Sequence, residues 1–356
     1  MTRTVAAIVA RTPDGPLEPG VVERREVGPR DVRIDVVWAG ICHSDIHTVR
    51  GDWGAQTYPL AVGHEIAGVV AEVGAQVEGL AVGQRVGVGC MVGSCRDCAN
   101  CRAGREQYCE RGFTDTYGAR DADGTITQGG YAASIVVDEH FVLSLPDALP
   151  FEKVAPLLCA GITTYSPLRR WGAGPGVRVA VVGMGGLGHM AVKLAVAMGA
   201  DVTVLSQTSS KRADALGFGA VAHHATSDPA VFDRLARSFD LIVNTVSASL
   251  DFDAYLGLLD FGGTMVNVGA PPEPAPVTLF TLFTNQRSFA GSTIGGIAET
   301  QEMLNFCAEH GIVPEVETIR ADQVNDAWER VLKSDVRYRF VIDASTLKGP
   351  SGATAA

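Results

Sequence analysis

A glycine-rich turn at residues 183–188, with the sequence GMGGLG, constrains the fold of this chain more than any other stretch. A short apolar run at 177–182 precedes it and an alanine-rich apolar stretch at 190–198 follows it, which predicts a buried strand and then a helix. In that setting the first glycine permits a tight turn, the second lets a pyrophosphate approach the backbone, and the third lets the helix pack on the strand. The helix N-terminus would then direct its N–H groups at the phosphates. We therefore predict a dinucleotide-binding βαβ unit, rather than a chance cluster among the 41 glycines of the chain.

The residues before and after about position 150 differ in the secondary structure that their apolar pattern predicts. Strand-like runs at 201–205, 241–243 and 265–268 alternate with helix-like segments, which predicts a doubly wound parallel Rossmann sheet. Before about residue 150, short runs rich in β-branched residues, such as 32–38 and 67–73, are bounded by Gly, Pro and Asp and predict a β-rich domain. The fold class is therefore α/β with two domains, as the length of 356 residues also suggests.

The end of the second Rossmann strand indicates which dinucleotide binds. Enzymes that use NAD usually carry an acidic residue there, which accepts hydrogen bonds from the ribose 2′-hydroxyl. This chain has Ser206, followed by Thr208 and Lys211, so hydroxyls and a cation are available for a 2′-phosphate. We therefore predict NADP(H). The alternative is that Lys211 and Arg212 merely begin a solvated helix.

Four cysteines form the most specific pattern in the sequence. Cys95, Cys98, Cys101 and Cys109 have the spacing x₂, x₂ and x₇, which is typical of a closed tetrahedral zinc site. An iron–sulfur cluster and a pair of disulfides are the alternatives. Nothing else in the sequence indicates electron transfer, and disulfides fit a reducing compartment poorly.

Composition narrows the partners and the compartment. The net charge of −11 argues against nucleic acid or an anionic membrane as the main partner. The first residues show no secretory signal, and the apolar runs are too short to cross a membrane. We therefore expect a cytoplasmic protein with reduced thiols.

A second metal site is suggested by residues far apart in the chain. Cys42, His64 and Cys159 together make a Cys₂His set, which suits a catalytic zinc that leaves one position for water or substrate. Spacing alone does not establish that the three residues meet.

These motifs resemble those of the zinc-dependent medium-chain alcohol dehydrogenases, and within them the cinnamyl alcohol dehydrogenase-like group, whose bacterial members are broad-range NADPH-dependent aldehyde reductases. The matching stretches are residues 40–47, 63–65, the four-cysteine stretch, 158–167, 183–189, 291–296 and 336–340. The loop at 112–128 differs from the plant lignin enzymes, so their substrate preference is not carried over.

The resemblance also implies an architecture. Residues 1–150 and 291–344 are expected to form a GroES-like catalytic domain with a structural zinc lobe at 90–112, and 151–290 the NADP-binding Rossmann domain. Residues 345–356 are small and polar and predict a flexible tail. A homodimer is expected from the family.

Roles at the catalytic site follow from the same resemblance. Cys42, His64 and Cys159 are expected to hold the catalytic zinc, and Glu65 to reach it as an alternative ligand, although a Glu beside a His is more often its local partner. Asp45 is expected to orient the zinc-bound imidazole, with an Asx-turn as the alternative. Ser44 and His47 are expected to relay a proton between substrate and solvent. The residues expected to contact NADP(H) are His43, Ser44, Thr163, Gly183, Met184, Gly185, Gly186, Leu187, Gly188, Ser206, Thr208, Lys211, Thr245, Gly269, Ser292, Thr293 and Ile294.

Arg339 has two interpretations, a contact to the cofactor phosphates or a structural ion pair. The expected activity is reversible hydride transfer between NADP(H) and primary alcohols or aldehydes, aromatic or aliphatic, with two zinc ions per chain. The alternatives are a polyol or secondary-alcohol dehydrogenase and, less favoured because every ligand and relay residue is present, a non-catalytic NADPH-binding protein.

Overall fold

The computed structural model describes residues 2–269, 271 and 273–349, and contacts divide the chain into two compact units. The first unit runs to Cys159 and resumes at Gly295, and the second is Ala160–Ile294. Residues 350–356 of the predicted tail lie outside the described residues, and the segment just before them contains a short 3₁₀ helix, Ala344–Thr346. Among the described residues, no helix is long and apolar enough to cross a bilayer.

The strands are β1 (Thr2–Ala10), β2 (Leu17–Arg25), β3 (Asp31–Gly40), β4 (Ile66–Val73), β5 (Arg85–Val88), β6 (Met91–Gly93), β7 (Thr114–Asp115), β8 (Ser134–Asp138), β9 (Leu143–Ser144), β10 (Arg178–Val182), β11 (Asp201–Ser206), β12 (Ala222–Ala225), β13 (Phe239–Asn244), β14 (Leu259–Asn267), β15 (Ser288–Gly291), β16 (Val316–Arg320) and β17 (Arg339–Asp343). The α-helices are α1 (His43–Arg50), α2 (Ala99–Arg102), α3 (Ala160–Arg170), α4 (Gly188–Ala197), α5 (Arg212–Gly217), α6 (Ala230–Arg234), α7 (Phe252–Gly257), α8 (Leu279–Phe283), α9 (Ile297–His310) and α10 (Val324–Leu332).

The first unit is built on a sheet with the order β16-β17-β3-β4-β5-β9, in which β8 also pairs with β3. Val32, Ile34 and Val36 of β3 are buried at alternate positions, as expected for a strand with one face in a core. Helix α10 covers part of this core with residues spaced at i, i+3, i+4 and i+7. Strand β17 lies between β16 and β3, so the last strand within the described residues is an interior strand of this sheet.

The second unit contains a six-stranded parallel sheet with the order β12-β11-β10-β13-β14-β15. Strand β10 is almost continuously buried, because helices cover both faces of such a sheet. Gly183 has a φ of +93°, and a Cβ at Gly188 would overlap the carbonyl group of Gly183. The glycines thus allow the tight turn from β10 into α4, and the predicted α/β fold with a Rossmann-type sheet is confirmed.

Candidate active site

Four buried side chains of the first unit converge on one point. Cys42, His64, Glu65 and Cys159 each offer a ligand atom, and these atoms all lie within 4.8 Å of one another. The Sγ atoms of Cys42 and Cys159 are 4.0 Å apart. Residues that the sequence separates by more than a hundred positions therefore share one cluster.

Sheet pairing explains the convergence. Cys42 follows β3 and His64 precedes β4, and these antiparallel neighbours pair Ala39 with Ile66, so both ligands lie at the same end of the two strands. Cys159 follows a 3₁₀ helix, Ala155–Leu158. The Leu158 carbonyl at the end of this helix packs closely on Gly89, since a Cβ at that position would lie only 3.0 Å from it.

The donor set fits zinc. Nε2 of His64 is buried and has no hydrogen-bond partner among the described residues, and the same holds for Oε2 of Glu65. A buried imidazole nitrogen without a partner is costly unless a ligand satisfies it. The contact with Cys159 holds the pKa of the Cys42 thiol well below its usual value, and the same contact raises the pKa of Cys159. Two sulfurs and one imidazole nitrogen are the donors of Cys₂His catalytic zinc sites.

The other nitrogen of His64 has one partner that the sequence did not reveal, Tyr117, beside the expected Asp45. Nδ1 lies 3.0 Å from the hydroxyl of Tyr117 and 3.6 Å from Oδ1 of Asp45. Asp45 is fully buried and accepts hydrogen bonds from the backbone N–H groups of Cys42 and Gly63 and from the hydroxyl of Tyr131. Asp45 thus lies beside the imidazole, as expected, but Tyr117 makes the closer contact.

Glu65 forms a buried ion pair with Arg339 of β17. Burial raises the pKa of Glu65 to about 7 even though Arg339 lowers it. A Cβ at Gly40 would overlap the Glu65 side chain, so glycine at that position makes room for the carboxylate. Of the two interpretations of Arg339, the structure favours the structural ion pair.

Helix α1 carries the predicted relay residues. The Cys42 Sγ lies 3.5 Å from the Ser44 Oγ, and the rings of His43 and His47, one turn apart, have centroids 6.0 Å apart. Nδ1 of His47 lies 2.7 Å from Oδ2 of Asp52, which the sequence analysis missed. The signal for Asp52 was the helix-ending glycine before it, because a left-handed C-cap turns the chain back over the last helical turn.

The candidate cofactor residues of the second unit follow its parallel strands. Gly183 comes after β10, Thr245 after β13, Gly269 after β14 and Ser292 after β15, so they lie at the carboxyl edge where dinucleotides bind in such sheets. Thr293 and Ile294 continue from Ser292, and Thr163 is a buried residue of α3. The Thr245 hydroxyl donates to the carbonyl of Val182, 2.8 Å away, beside the glycine turn.

The predicted 2′-phosphate residues lie after β11. Ser206 Oγ donates to the carbonyl of Thr208 at 2.8 Å and is also 2.8 Å from Nε2 of His223, a buried residue absent from the sequence-based set. Lys211 donates to the carbonyl of Met184 at 2.9 Å, so its ammonium group lies beside the glycine turn.

The four-cysteine lobe forms a second cluster in the first unit. The sulfurs of Cys95, Cys98, Cys101 and Cys109 all lie within 4.8 Å of one another. All eight cysteines of the chain are among the described residues, and all are free thiols. Backbone N–H groups donate to the sulfurs of Cys95, Cys98 and Cys109 at 3.4 to 3.5 Å. Such donors favour the thiolate form and lower the pKa of Cys98 to about 6. Four converging sulfurs are the donor set of a structural zinc site.

Comparisons with known proteins agree with this geometry. Residues 28–147 match the family model of the alcohol dehydrogenase GroES-like domain, and 186–309 match that of the zinc-binding dehydrogenases. The chain is 61% identical over 346 residues to NADP-dependent alcohol dehydrogenase C 1 of Mycolicibacterium smegmatis, which covers 97% of this chain and 99% of that protein. It is 51% identical to the aldehyde reductase YahK of Escherichia coli over 96% of this chain and 99% of that protein.

A solved structure of a cinnamyl alcohol dehydrogenase from Sorghum bicolor is similar with a TM-score of 0.95 and 42% identity, covering 98% of this chain and all (100%) of that one. These matches confirm the resemblance inferred from the motifs. The chain is an oxidoreductase that belongs to the family of zinc-binding alcohol dehydrogenases, in its cinnamyl alcohol dehydrogenase-like group.

Proposed function

We propose that this protein catalyses reversible hydride transfer between NADP(H) and primary alcohols or aldehydes, aromatic or aliphatic, at a zinc held by Cys42, His64 and Cys159. The observation that carries the proposal is the convergence of two buried thiols on a buried imidazole nitrogen that has no hydrogen-bond partner among the described residues. The names of the relatives support the reaction class. We further propose that the second unit binds NADP(H) and that Cys95, Cys98, Cys101 and Cys109 hold a structural zinc.

Each residue of the catalytic cluster has a chemical role in this proposal. When bound, zinc supplies a Lewis acid that polarises the carbonyl oxygen of an aldehyde and lowers the pKa of an alcohol. Cys42 and Cys159 contribute negative charge, His64 a neutral nitrogen, and Glu65 an oxygen that lies within the same cluster. The hydride belongs to the cofactor, so the chain has to position the metal and move a proton.

Helix α1 supplies the proton path in this proposal. The Ser44 hydroxyl lies beside Cys42, where it can exchange a proton with the substrate oxygen. His47 is partly exposed, and an imidazole can both accept and release a proton, so it can pass the proton to solvent. Asp52 holds one nitrogen of the His47 ring and thereby fixes its orientation.

A substrate panel assayed with both cofactors tests the proposal. We expect aromatic and aliphatic aldehydes to be reduced with NADPH more efficiently than polyols are oxidised with NADP⁺. A higher kcat/KM for polyols or secondary alcohols would favour the alternative dehydrogenase. A higher kcat/KM with NADH than with NADPH would contradict the cofactor assignment.

The substitution Lys211→Met sharpens the cofactor test. A hydrogen bond to a charged group contributes about 1.5–3 kcal/mol, so we expect kcat/KM for NADPH to fall roughly 10- to 100-fold. NADH lacks the 2′-phosphate and serves as the control, and its kcat/KM should change little. An equal fall with both cofactors would mean that Lys211 acts through its bond to Met184 and the glycine turn instead.

Replacing His47 by glutamine should slow turnover only modestly. General acid–base groups contribute about 10²- to 10⁴-fold, and we expect a loss of about 10-fold because water can partly replace a half-exposed final relay group. Steady-state kcat measured against pH checks this, with Asp52→Asn as the matched control that keeps an acceptor oxygen for His47. Complete loss of activity would assign His47 a role other than proton relay.

A homodimer and a cytoplasmic location also belong to the proposal. The edge of the second unit's sheet supports the dimer, because β15 ends the strand order and α8, a few residues before it, exposes Leu279, Phe280 and Phe283. Strand edges and exposed apolar patches of this kind commonly mark contacts between chains.

A further inference from the structure

We propose that Tyr117 is a positioning residue for the catalytic zinc, because its hydroxyl accepts the Nδ1 proton of His64 and leaves Nε2 as the lone-pair donor to the metal. This inference rests on the proposed function and extends it to a residue of the loop at 112–128. A neutral imidazole carries its proton on one nitrogen only, so whatever accepts that proton selects the nitrogen that can bind a metal.

Distances favour Tyr117 over Asp45 as the direct partner of His64. The Tyr117 hydroxyl lies 3.0 Å from Nδ1, within hydrogen-bonding range, whereas Oδ1 of Asp45 lies 3.6 Å away. The same hydroxyl also interacts with the Asp45 carboxylate. The Tyr117 hydroxyl is therefore the nearest acceptor for the Nδ1 proton of His64, and the Asp45 carboxylate lies beside both groups.

The carboxylate of Asp45 is fixed from several sides. The N–H of Cys42 donates to Oδ2 of Asp45 at 2.8 Å, the Tyr131 hydroxyl donates to the same oxygen at 3.1 Å, and the N–H of Gly63 donates to Oδ1 at 3.2 Å. One of these donors is the N–H of Cys42 itself, and another is the N–H of Gly63, the residue before His64. Asp45 therefore holds the backbone at both zinc ligands. A carboxylate held this firmly leaves Tyr117 to bridge the remaining gap to His64.

Ring packing restrains the phenol of Tyr117 in addition to its hydrogen bond. The rings of Tyr117 and His64 are nearly parallel, with centroids 5.6 Å apart and planes at 27°. Both side chains are buried, with 7% and 6% of their surfaces exposed, so water has little access to replace a lost hydroxyl. The neighbouring Thr116 anchors the segment, because its hydroxyl donates to the carbonyl of Gly89 at 2.6 Å.

Removal of the hydroxyl should weaken zinc binding through His64. The Nδ1 proton would lose its acceptor in a buried site, and the tautomer protonated at Nε2, which cannot bind the metal through that nitrogen, would become competitive. Partners of metal-bound histidines typically contribute 10- to 100-fold to metal affinity. The predicted effect is therefore on metal retention, beyond any effect on folding.

The experiment compares Tyr117→Phe with Tyr131→Phe in the full-length, zinc-loaded protein. Both substitutions remove one buried hydroxyl that interacts with Asp45, but only the Tyr117 hydroxyl also contacts His64. Zinc release to a chromogenic chelator is followed over time, together with the visible absorption spectrum after cobalt exchange. We expect Tyr117→Phe to release one zinc per chain about 10- to 100-fold faster than Tyr131→Phe and to shift the cobalt spectrum, while the two lower the thermal midpoint similarly.

Equal release rates in the two variants would overturn the role of Tyr117, as would a cobalt spectrum that Tyr117→Phe leaves unchanged. The phenylalanine keeps the ring that packs on His64, so the variant is expected to fold. The wild-type protein separates this inference from the proposed function. If the wild type itself retains only one zinc after metal loading, the catalytic zinc assignment fails, whereas two zinc ions with indistinguishable variants refute only the role of Tyr117.

Discussion

Turnover should be lost when Cys159 is replaced by alanine, while the protein keeps its fold and one of its two zinc ions. Cys159 supplies one of the two thiolates of the buried cluster, and its removal leaves Cys42 as the single thiolate donor, so we expect the zinc to be lost. Lewis-acid stabilisation is worth several kcal/mol, so we expect kcat/KM to fall by a factor on the order of 10³ or more. Metal content by atomic emission, circular dichroism and steady-state kinetics measure the three quantities separately.

The matched control is Cys307→Ala. Cys307 is an equally buried cysteine on α9 that belongs to neither cluster, and its thiol contacts Met303. It should keep both zinc ions and most of the activity. Full activity of Cys159→Ala with two zinc ions present would refute the catalytic site assigned here.

Replacing Cys98 by alanine should have the opposite profile, with a large loss of stability and little change in chemistry per folded molecule. The buried core of the four-cysteine lobe consists largely of the cysteines themselves, with Phe113 packed against them, so the lobe has little apolar surface to hold it together without a metal. Structural zinc sites contribute folding free energy directly. We expect a loss of several kcal/mol, which would lower the thermal midpoint by roughly 10 °C.

Scanning calorimetry and zinc content check this prediction, with Cys159→Ala as the reciprocal control. Each variant should lose a different zinc, and only Cys98→Ala should lose the large increment of stability. An unchanged midpoint with two bound zinc ions would contradict the structural role of the lobe.

The sequence predicted the family, the two-part α/β fold and the sets of residues that converge, because glycines and metal-binding cysteines have requirements that are readable from spacing. It did not predict Tyr117, which is 53 residues from His64 and lies in an irregular loop without periodicity. His223 was missed for a related reason. Its contact with Ser206 depends on the pairing of β11 with β12, and a parallel register cannot be read from two separate strands.

The partner of Arg339 also could not be predicted from the sequence. The sequence left its role open between cofactor phosphates and an ion pair, since a buried arginine satisfies either description. Only the pairing of β17 beside β3 shows that its guanidinium meets Glu65. The partner of a buried charge is thus a property of sheet topology.

The interior position of β17 has a consequence for biosynthesis. The ribosome makes β3, β4 and the whole second unit before the strand that belongs next to β3 exists, so a nascent chain carries Glu65 without its countercharge. The inserted segment Ala160–Ile294 has all its strands by then and can fold during translation, whereas the sheet around it must wait for β17 to be made. A stop codon anywhere before Arg339 would therefore yield a polypeptide whose metal-binding half is left unfinished.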